Sequence, residues 1–555
     1  MALLLGCNKS SELSPSSSKT NIASATPLLT KTVWFEEIGE KAGLTFIHRT
    51  GHQQKHLMPE INTGGIGVLD FDQDGLMDII CVQGGSLYQP SSHAGGHKLF
   101  KNLGAWKFQD FTDQAGLRSE RTGYGMGVAC ADYDNDGDTD IFITQMSSNL
   151  LYRNDGRGKF QEVGLQSGVA GSGWSSSAAW VDYNRDGLLD LFVARYLEWR
   201  LESEVECFSR GGRPDYCSPL NYQAPAKGLL FRNKGDGNFE DVSEQSGISA
   251  RVGTGLGVAV ADFNKDGWHD IYVANDAMPN HLWINQRNGH FQEEAMLRGC
   301  AVNAIGLSEA GMGVVAVDLL ERGQWDLYIT HLANEFNRFY SSSNGWFTDL
   351  VHPQGPAQGS WPMTGWGTTF ADFDNDGWID LYNANGRVKF GPSDLSPTDV
   401  YAEPNQLLRG IGLGSFKPVD PVDATAPSLL ASSRALASAD FDNDGMLDLV
   451  VANRDNRPHL LRNIAPKKGN WIAFKILTKN GADAIGSVLT LLSVGRTRMK
   501  QIQPNEGYCS SHDPRIHFGL GESVGIEKVI VQWPNGSIEE HGPLPANQIH
   551  TIRQK

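Results

Sequence analysis

No stretch of the 555-residue sequence reaches the ~18 consecutive apolar residues of a membrane-spanning helix, so the chain offers no such helix. Basic residues are in deficit, 47 against 64 acidic, and the formal charge of −17 argues against a nucleic-acid partner, which needs a basic patch. Of seven cysteines, none forms a Cys-x-x-Cys pair, which removes the usual zinc framework. There is no Gly-x-Ser-x-Gly elbow, no His-Glu-x-x-His helix and no phosphate-binding P-loop. What the chain does have is 63 glycines, 14 tryptophans and many short apolar runs, a composition that favours strands and tight turns over long helices.

The strongest signal is an internal repeat. An Asp-rich loop leads into a short apolar strand seven times. The loops start at Asp70, Asp132, Asp182, Asp262, Asp318, Asp372 and Asp440. Each follows a Gly-rich apolar run such as Gly125-Met-Gly-Val-Ala-Cys-Ala131. Each is followed by a segment like Asn149-Leu-Leu-Tyr-Arg-Asn154 and then by a strand opening with Phe. Four short strands per unit is the blade of a propeller. The Phe-led strands are also seven, at Phe35, Phe108, Phe160, Phe239, Phe291, Phe347 and Phe416, but the first precedes the first loop and none follows the last. Pairing the strand at Phe35 with the last blade would close the ring and leave no sheet edge open. The expected fold is therefore all-β: a seven-bladed propeller over residues 33–465 and a small β domain over 470–555.

Six loops place carboxylates or amides at positions 1, 3, 5 and 9 with Gly at position 6. The candidate metal ligands are Asp70, Asp72, Asp74 and Asp78; Asp132, Asp134, Asp136 and Asp140; Asp182, Asn184, Asp186 and Asp190; Asp262, Asn264, Asp266 and Asp270; Asp372, Asp374, Asp376 and Asp380; and Asp440, Asp442, Asp444 and Asp448. An all-oxygen set on a tight loop suits calcium, whereas softer metals call for His or Cys. Position 12 of the second loop is Ile143, inside the alternating run Ile141-Phe-Ile-Thr, so an EF-hand with its Glu and flanking helices is disfavoured. The competing reading is an Asp-Gly turn capped by its own side chains. The fifth copy has Leu320 and Arg322 at positions 3 and 5, and no ion is expected there, Arg322 taking over the positive charge. About six calcium ions would bring −17 to about −5.

These repeats resemble the FG-GAP or VCBS repeats of integrin-like propellers, whose Asp loops bind calcium and whose blades present ligand-binding surfaces. Asn505-Glu-Gly-Tyr508, His517-Phe-Gly-Leu-Gly521 and Val531-Gln-Trp-Pro-Asn-Gly536 resemble the ASPIC/UnbV domain of the cartilage acidic protein family and of bacterial surface proteins. The polar loop Cys207–Cys217 looks like that family's insertion. It holds either a disulfide, which suits an oxidising compartment, or two free thiols. Leu4-Leu5-Gly6-Cys7 resembles a bacterial lipobox. It implies a lipid on Cys7 at the end of a signal remnant (residues 1–7), and residues 8–32, rich in Ser, Thr, Asn and Pro, read as a flexible tether.

Two function classes follow. One is an extracytoplasmic calcium propeller that binds a protein or glycan and meets a membrane only through its N-terminal lipid. The other is a carbohydrate-active lyase or dehydratase on the same scaffold, for which no catalytic residue is assigned. His48, His52 and His56 recur every four residues, but Gly51 and Pro59 make the stretch a polar connecting loop. Glu60 either lines one end of the central channel or is a solvated loop carboxylate.

Overall fold

In a computed structural model, described for residues 33–555 except 54, 89–95, 118–122, 351, 391–394 and 467–468, the repeat units form seven four-stranded antiparallel blades, of which the second and third are joined where Gly173 and Trp174 pair with Ser147 and Met146. Blade 1 runs Ile66–Leu69, Asp78–Cys81, Lys98–Asn102 and Phe108–Asp110 from channel to rim. Blades 2 to 6 repeat that order, with inner strands Tyr124–Ala131, Gly173–Val181, Gly255–Ala261, Val314–Val317 and Gly365–Ala371. Blade 7 takes Ser433–Ala439, Asp448–Asn453 and His459–Asn463 from the end of the ring and its outer strand, Phe35–Glu37, from the beginning. The register is antiparallel, Phe35 opposite Asn463 and Glu37 opposite Leu461. Each inner strand packs on the next, and that of blade 7 packs on that of blade 1, so the ring is closed. All seven Phe-led segments form the outer strands. Cys7 and the tether 8–32 lie outside the described residues.

The Gly-rich character of the inner strands has a steric cause. A Cβ on Gly313 would lie 2.1 Å from the carbonyl oxygen of Trp366, and one on Gly257 2.3 Å from that of Met312. Neighbouring inner strands therefore approach as closely as they do only because those positions have no side chain.

The tail folds into a three-stranded sheet (Asn470–Leu477 between Ile516–Gly521 and Ile549–Arg553) and a four-stranded one (Arg496–Gln501, Val488–Ser493, Lys528–Gln532, Ile538–His541). Its apolar residues Phe474, Leu491, Phe518 and Trp533 share one core with Phe142, Trp180 and Leu191 of blades 2 and 3. It covers the end of the ring that carries the Asp loops: Arg515 donates to the Asp440 carbonyl (2.9 Å), Arg496 to the Gly377 carbonyl (3.0 Å) and Gly521 N–H to the Asn375 carbonyl (2.8 Å).

From this position residues 503–512 thread into the central channel. Gly507 exchanges both backbone hydrogen bonds with Val314 (2.8 and 3.1 Å), and Ser510–Ser511 pairs parallel with Ile66 and Gly67. The Cys509 N–H donates to Ser177 Oγ (2.9 Å), and the Ser438 N–H to His512 Nδ1 (3.1 Å). Tyr508 reaches farthest. Its hydroxyl donates to the Asn62 carbonyl (2.5 Å), and its ring meets Trp366 edge-on at 4.9 Å. The tail thus fills the channel and ties together strands far apart around the ring.

Candidate functional site

Two sites stand at opposite ends of the channel. At the tail-covered end, every Asp loop builds the same turn. The position-1 carboxylate accepts the position-6 Gly N–H, at 3.1 Å for Asp70, 2.7 Å for Asp132, 3.0 Å for Asp182, 2.7 Å for Asp262 and 2.8 Å for both Asp372 and Asp440. Those glycines have φ between +85° and +97°, which explains why position 6 is always Gly. The position-9 carboxylate holds the blade together: Asp140 accepts the N–H of Tyr133 (3.1 Å) and of Asn154 (2.8 Å), and Asp78, Asp190, Asp270, Asp380 and Asp448 make the equivalent pair.

So the turn-capping reading is part of the answer. It leaves the inward oxygens unexplained. In four loops three carboxylates each bring an oxygen within 4.8 Å of the others: Asp70, Asp72 and Asp78; Asp132, Asp134 and Asp136; Asp372, Asp374 and Asp380; Asp440, Asp442 and Asp448. Oδ1 of Asp70, Asp72, Asp134, Asp372 and Asp442 is buried without a hydrogen-bond partner. Burial first, then neighbouring carboxylates, pushes Asp372 up to about 8; burial is also the leading cause that takes Asp132 and Asp440 to about 7. Clustered, buried, unpaired carboxylate oxygens are what a hard cation satisfies. Loops 3 and 4 carry Asn184 and Asn264 at position 3, each accepting the N–H two residues on (2.9 and 3.0 Å).

Protein cations reach the rims of some loops. Lys101 binds Asp72 and Asp74, Arg287 binds Asp266 (2.9 Å), and Arg409 binds Asp374 (2.7 Å) and Asp376 (2.8 Å). In the fifth loop a protein cation occupies a ligand position. Gly323 N–H still donates to Asp318 (2.9 Å), so the turn survives, and Arg322 Nη2 lies 2.8 Å from Asp326 and donates to Ser341 Oγ (2.7 Å). The guanidinium stands among the ligands of the degenerate loop.

The other end of the channel is built from four separate segments: the entry to blade 1, an insertion in blade 3, an insertion in blade 6 and a turn of blade 7. Glu60 sits in the turn Pro59–Asn62 and is 1% exposed, which rules out the solvated loop carboxylate. Its Oε2 lies 2.7 Å from His52 Nδ1 and accepts the Tyr216 hydroxyl at 2.9 Å; its Oε1 has no partner. Burial pushes the Glu60 carboxyl up, and the bond to Glu60 raises the His52 imidazole. His56 packs edge-on against Tyr216 (4.9 Å), and Arg454 lies over the rings of Tyr401 (4.5 Å) and Tyr216 (5.4 Å). Tyr401 donates to Asp215 at 3.4 Å, and Lys389 binds the Tyr216 carbonyl. Among the described residues of the stretch through His48, His52 and His56 there is no helix, and His48 is buried, its Nε2 3.3 Å from Thr63 Oγ1. Cys207 and Cys217 form a disulfide (Cα–Cα 5.3 Å) that staples the insertion presenting Tyr216.

Sequence reasoning singled out Glu60 and the histidines but not Tyr216, Tyr401 or Arg454. The available signal was that both insertions interrupt the repeat between a second and a third strand, where blades 2, 4 and 7 have only a short turn.

Family models agree with this architecture. The FG-GAP-like repeat family matches residues 70–143, 132–193, 212–273 and 262–329, and the ASPIC and UnbV family matches residues 477–555. Cartilage acidic protein 1 of Homo sapiens is 26% identical over 501 residues, covering 85% of this chain and 69% of that protein. The Xenopus tropicalis protein of the same name is 25% identical over 536 residues, covering 85% and 70%. Among solved structures, an Agrocybe aegerita lectin described as recognising non-reducing terminal N-acetylglucosamine aligns with 71% of this chain and 86% of its own, at 16% identity and a TM-score of 0.37. The chain belongs to the FG-GAP-repeat proteins that carry a C-terminal ASPIC/UnbV domain, the cartilage acidic protein-like family.

Proposed function

We propose that this chain is a calcium-held propeller that works outside the cytoplasm by binding a protein or glycan partner, anchored through a lipid on Cys7. About six calcium ions occupy the loops beginning at Asp70, Asp132, Asp182, Asp262, Asp372 and Asp440. The observation that carries the metal assignment is the set of buried, unpartnered oxygens on carboxylates that converge within 4.8 Å in four of those loops; in the fifth, Arg322 takes Asp326 Oδ1 and leaves Oδ2 unpartnered. The Cys207–Cys217 disulfide supports an oxidising compartment. The family supports a binding or adhesion role.

The test is thermal unfolding in calcium and in chelator with the metal counted on the same sample. A ligand of the folded state raises apparent stability by mass action, about 2.7 kcal/mol per site at a hundred times the dissociation constant. Asp374, 3% exposed, is the diagnostic position. Asp374→Ala should lose one ion and part of the calcium-dependent gain. Equal midpoints for variant and parent in both conditions would remove the ion from that loop. A second reading, a carbohydrate-active lyase or dehydratase, is favoured by one observation: a buried carboxylate, Glu60, held between an imidazole and a phenol.

A further inference from the structure

The channel mouth opposite the tail has more polar groups than it satisfies. Glu60 Oε1, His56 Nδ1, Asn62 Nδ2, Arg387 Nη1 and Arg454 Nη1 are buried without hydrogen-bond partners. Asn62 and Arg454 are 2% and 8% exposed, and leaving a donor unpaired at such a site is costly, more so for a charged one. These groups belong to one neighbourhood. Glu60 and Asn62 share a turn; Arg454 stacks on Tyr216 and Tyr401; the Arg387 backbone N–H donates to the Tyr401 carbonyl (2.8 Å), while its guanidinium Nε donates to the buried Glu403 carboxylate (3.1 Å). Three of the five are obligate donors, two of them guanidinium nitrogens, against one carboxylate oxygen. The unmet demand is therefore for acceptors, preferably anionic. Arginine favours carboxylate as the partner for its planar fork. Tyr216 and Tyr401 are buried beside these donors, and Phe390, partly exposed and 5.5 Å from Tyr401, supplies the flat apolar surface.

We infer that the channel mouth is the ligand site of this protein and that it takes a carboxylated sugar. Arg454 receives the carboxylate, Phe390 contacts the ring, and Glu60 with His56 binds hydroxyls. The disulfide-stapled loop fixes Tyr216, which binds the same Glu60 oxygen as His52 and leaves Oε1 free. The inference rests on the binding-module reading and deepens it by choosing a glycan and a place.

The test is calorimetric titration of the calcium-loaded full chain with methyl β-glucuronide and methyl β-glucoside, which differ only in carboxylate against hydroxymethyl. The glucuronide should bind at least tenfold more tightly. Arg454→Gln should abolish that preference while leaving the calcium-dependent midpoint in place. Because Arg454 is packed between rings, His56→Ala is a second variant, expected to weaken the glucuronide at least fivefold. Equal affinity for the two sugars overturns the inference. So does binding that survives both variants, which would put the ligand elsewhere and leave the broader glycan reading standing. Absence of binding to either sugar with an intact calcium response overturns this site alone, whereas loss of the calcium response as well would remove the metal-held propeller beneath it.

Discussion

The fifth loop allows the metal assignment to be tested by construction instead of removal. Its backbone is already that of a binding loop: Asp318 accepts the N–H of Arg322 (2.8 Å) and of Gly323 (2.9 Å), as Asp132 accepts those of Asp136 (3.2 Å) and Gly137 (2.7 Å). The double substitution Leu320→Asp with Arg322→Asp restores oxygen ligands at positions 3 and 5 around Asp318 and Asp326. In chelator the variant should be destabilised. The charge-assisted bond from Arg322 to Asp326 is worth roughly 1.5–3 kcal/mol at most, less here because the arginine is half-exposed. Each new carboxylate about 5 Å from an old one adds about 3 kcal/mol of repulsion at an effective dielectric constant of 20. Leu320 also gives up packing against the blade 5–6 core, about 1 kcal/mol for a partly buried side chain. A loss of about 5 kcal/mol or more is expected without metal. In saturating calcium much of it should return, because the cation reverses the sign of the repulsion. Metal analysis should count one ion more than the parent, and the calcium-minus-chelator shift in midpoint should exceed the parent's. A folded variant with the parent's ion count and the parent's shift would refute the reasoning, since the same turn with the same donors would then fail to bind.

Tyr508→Phe removes the hydroxyl that reaches through the channel to the Asn62 carbonyl, leaving a buried acceptor unpaired, and should cost about 1–3 kcal/mol in denaturant unfolding; an unchanged midpoint would mean that the tail does not brace the ring. Burial holds the His331 imidazole at about 4, against about 6.5 when unfolded. Between those values the unfolded chain binds the extra proton, so this histidine's contribution is intact above pH 6.5 and is lost as pH falls towards 4, by about 3 kcal/mol in all. His331→Gln should therefore gain stability relative to the parent as pH falls from 7 to 4.5, and a difference that does not vary with pH would contradict the buried neutral state.

The sequence by itself determined the elements whose cause is local. An Asp at position 1, a Gly with positive φ at position 6 and an Asp at position 9 make their hydrogen bonds within one loop and the strands beside it, so seven copies could be read from spacing alone. The offset of the Phe-led strands revealed ring closure because the excess strand at Phe35 and the missing one after Asn463 are both visible in the chain. Arg322 could be read as a substitute cation because it occupies a ligand position. The tertiary structure alone decided what depends on residues distant in sequence. Glu60, Tyr216, Tyr401 and Arg454 carry no shared pattern, and they meet only because insertions on blades 3 and 6 fold over the same end of the channel. The tail motif around Tyr508 reads as an ordinary turn until the closed ring supplies a channel for it to enter. Gly519 is required because a Cβ there would stand 2.0 Å from Asp372 Oδ2, a contact between residues 147 positions apart that no local rule anticipates.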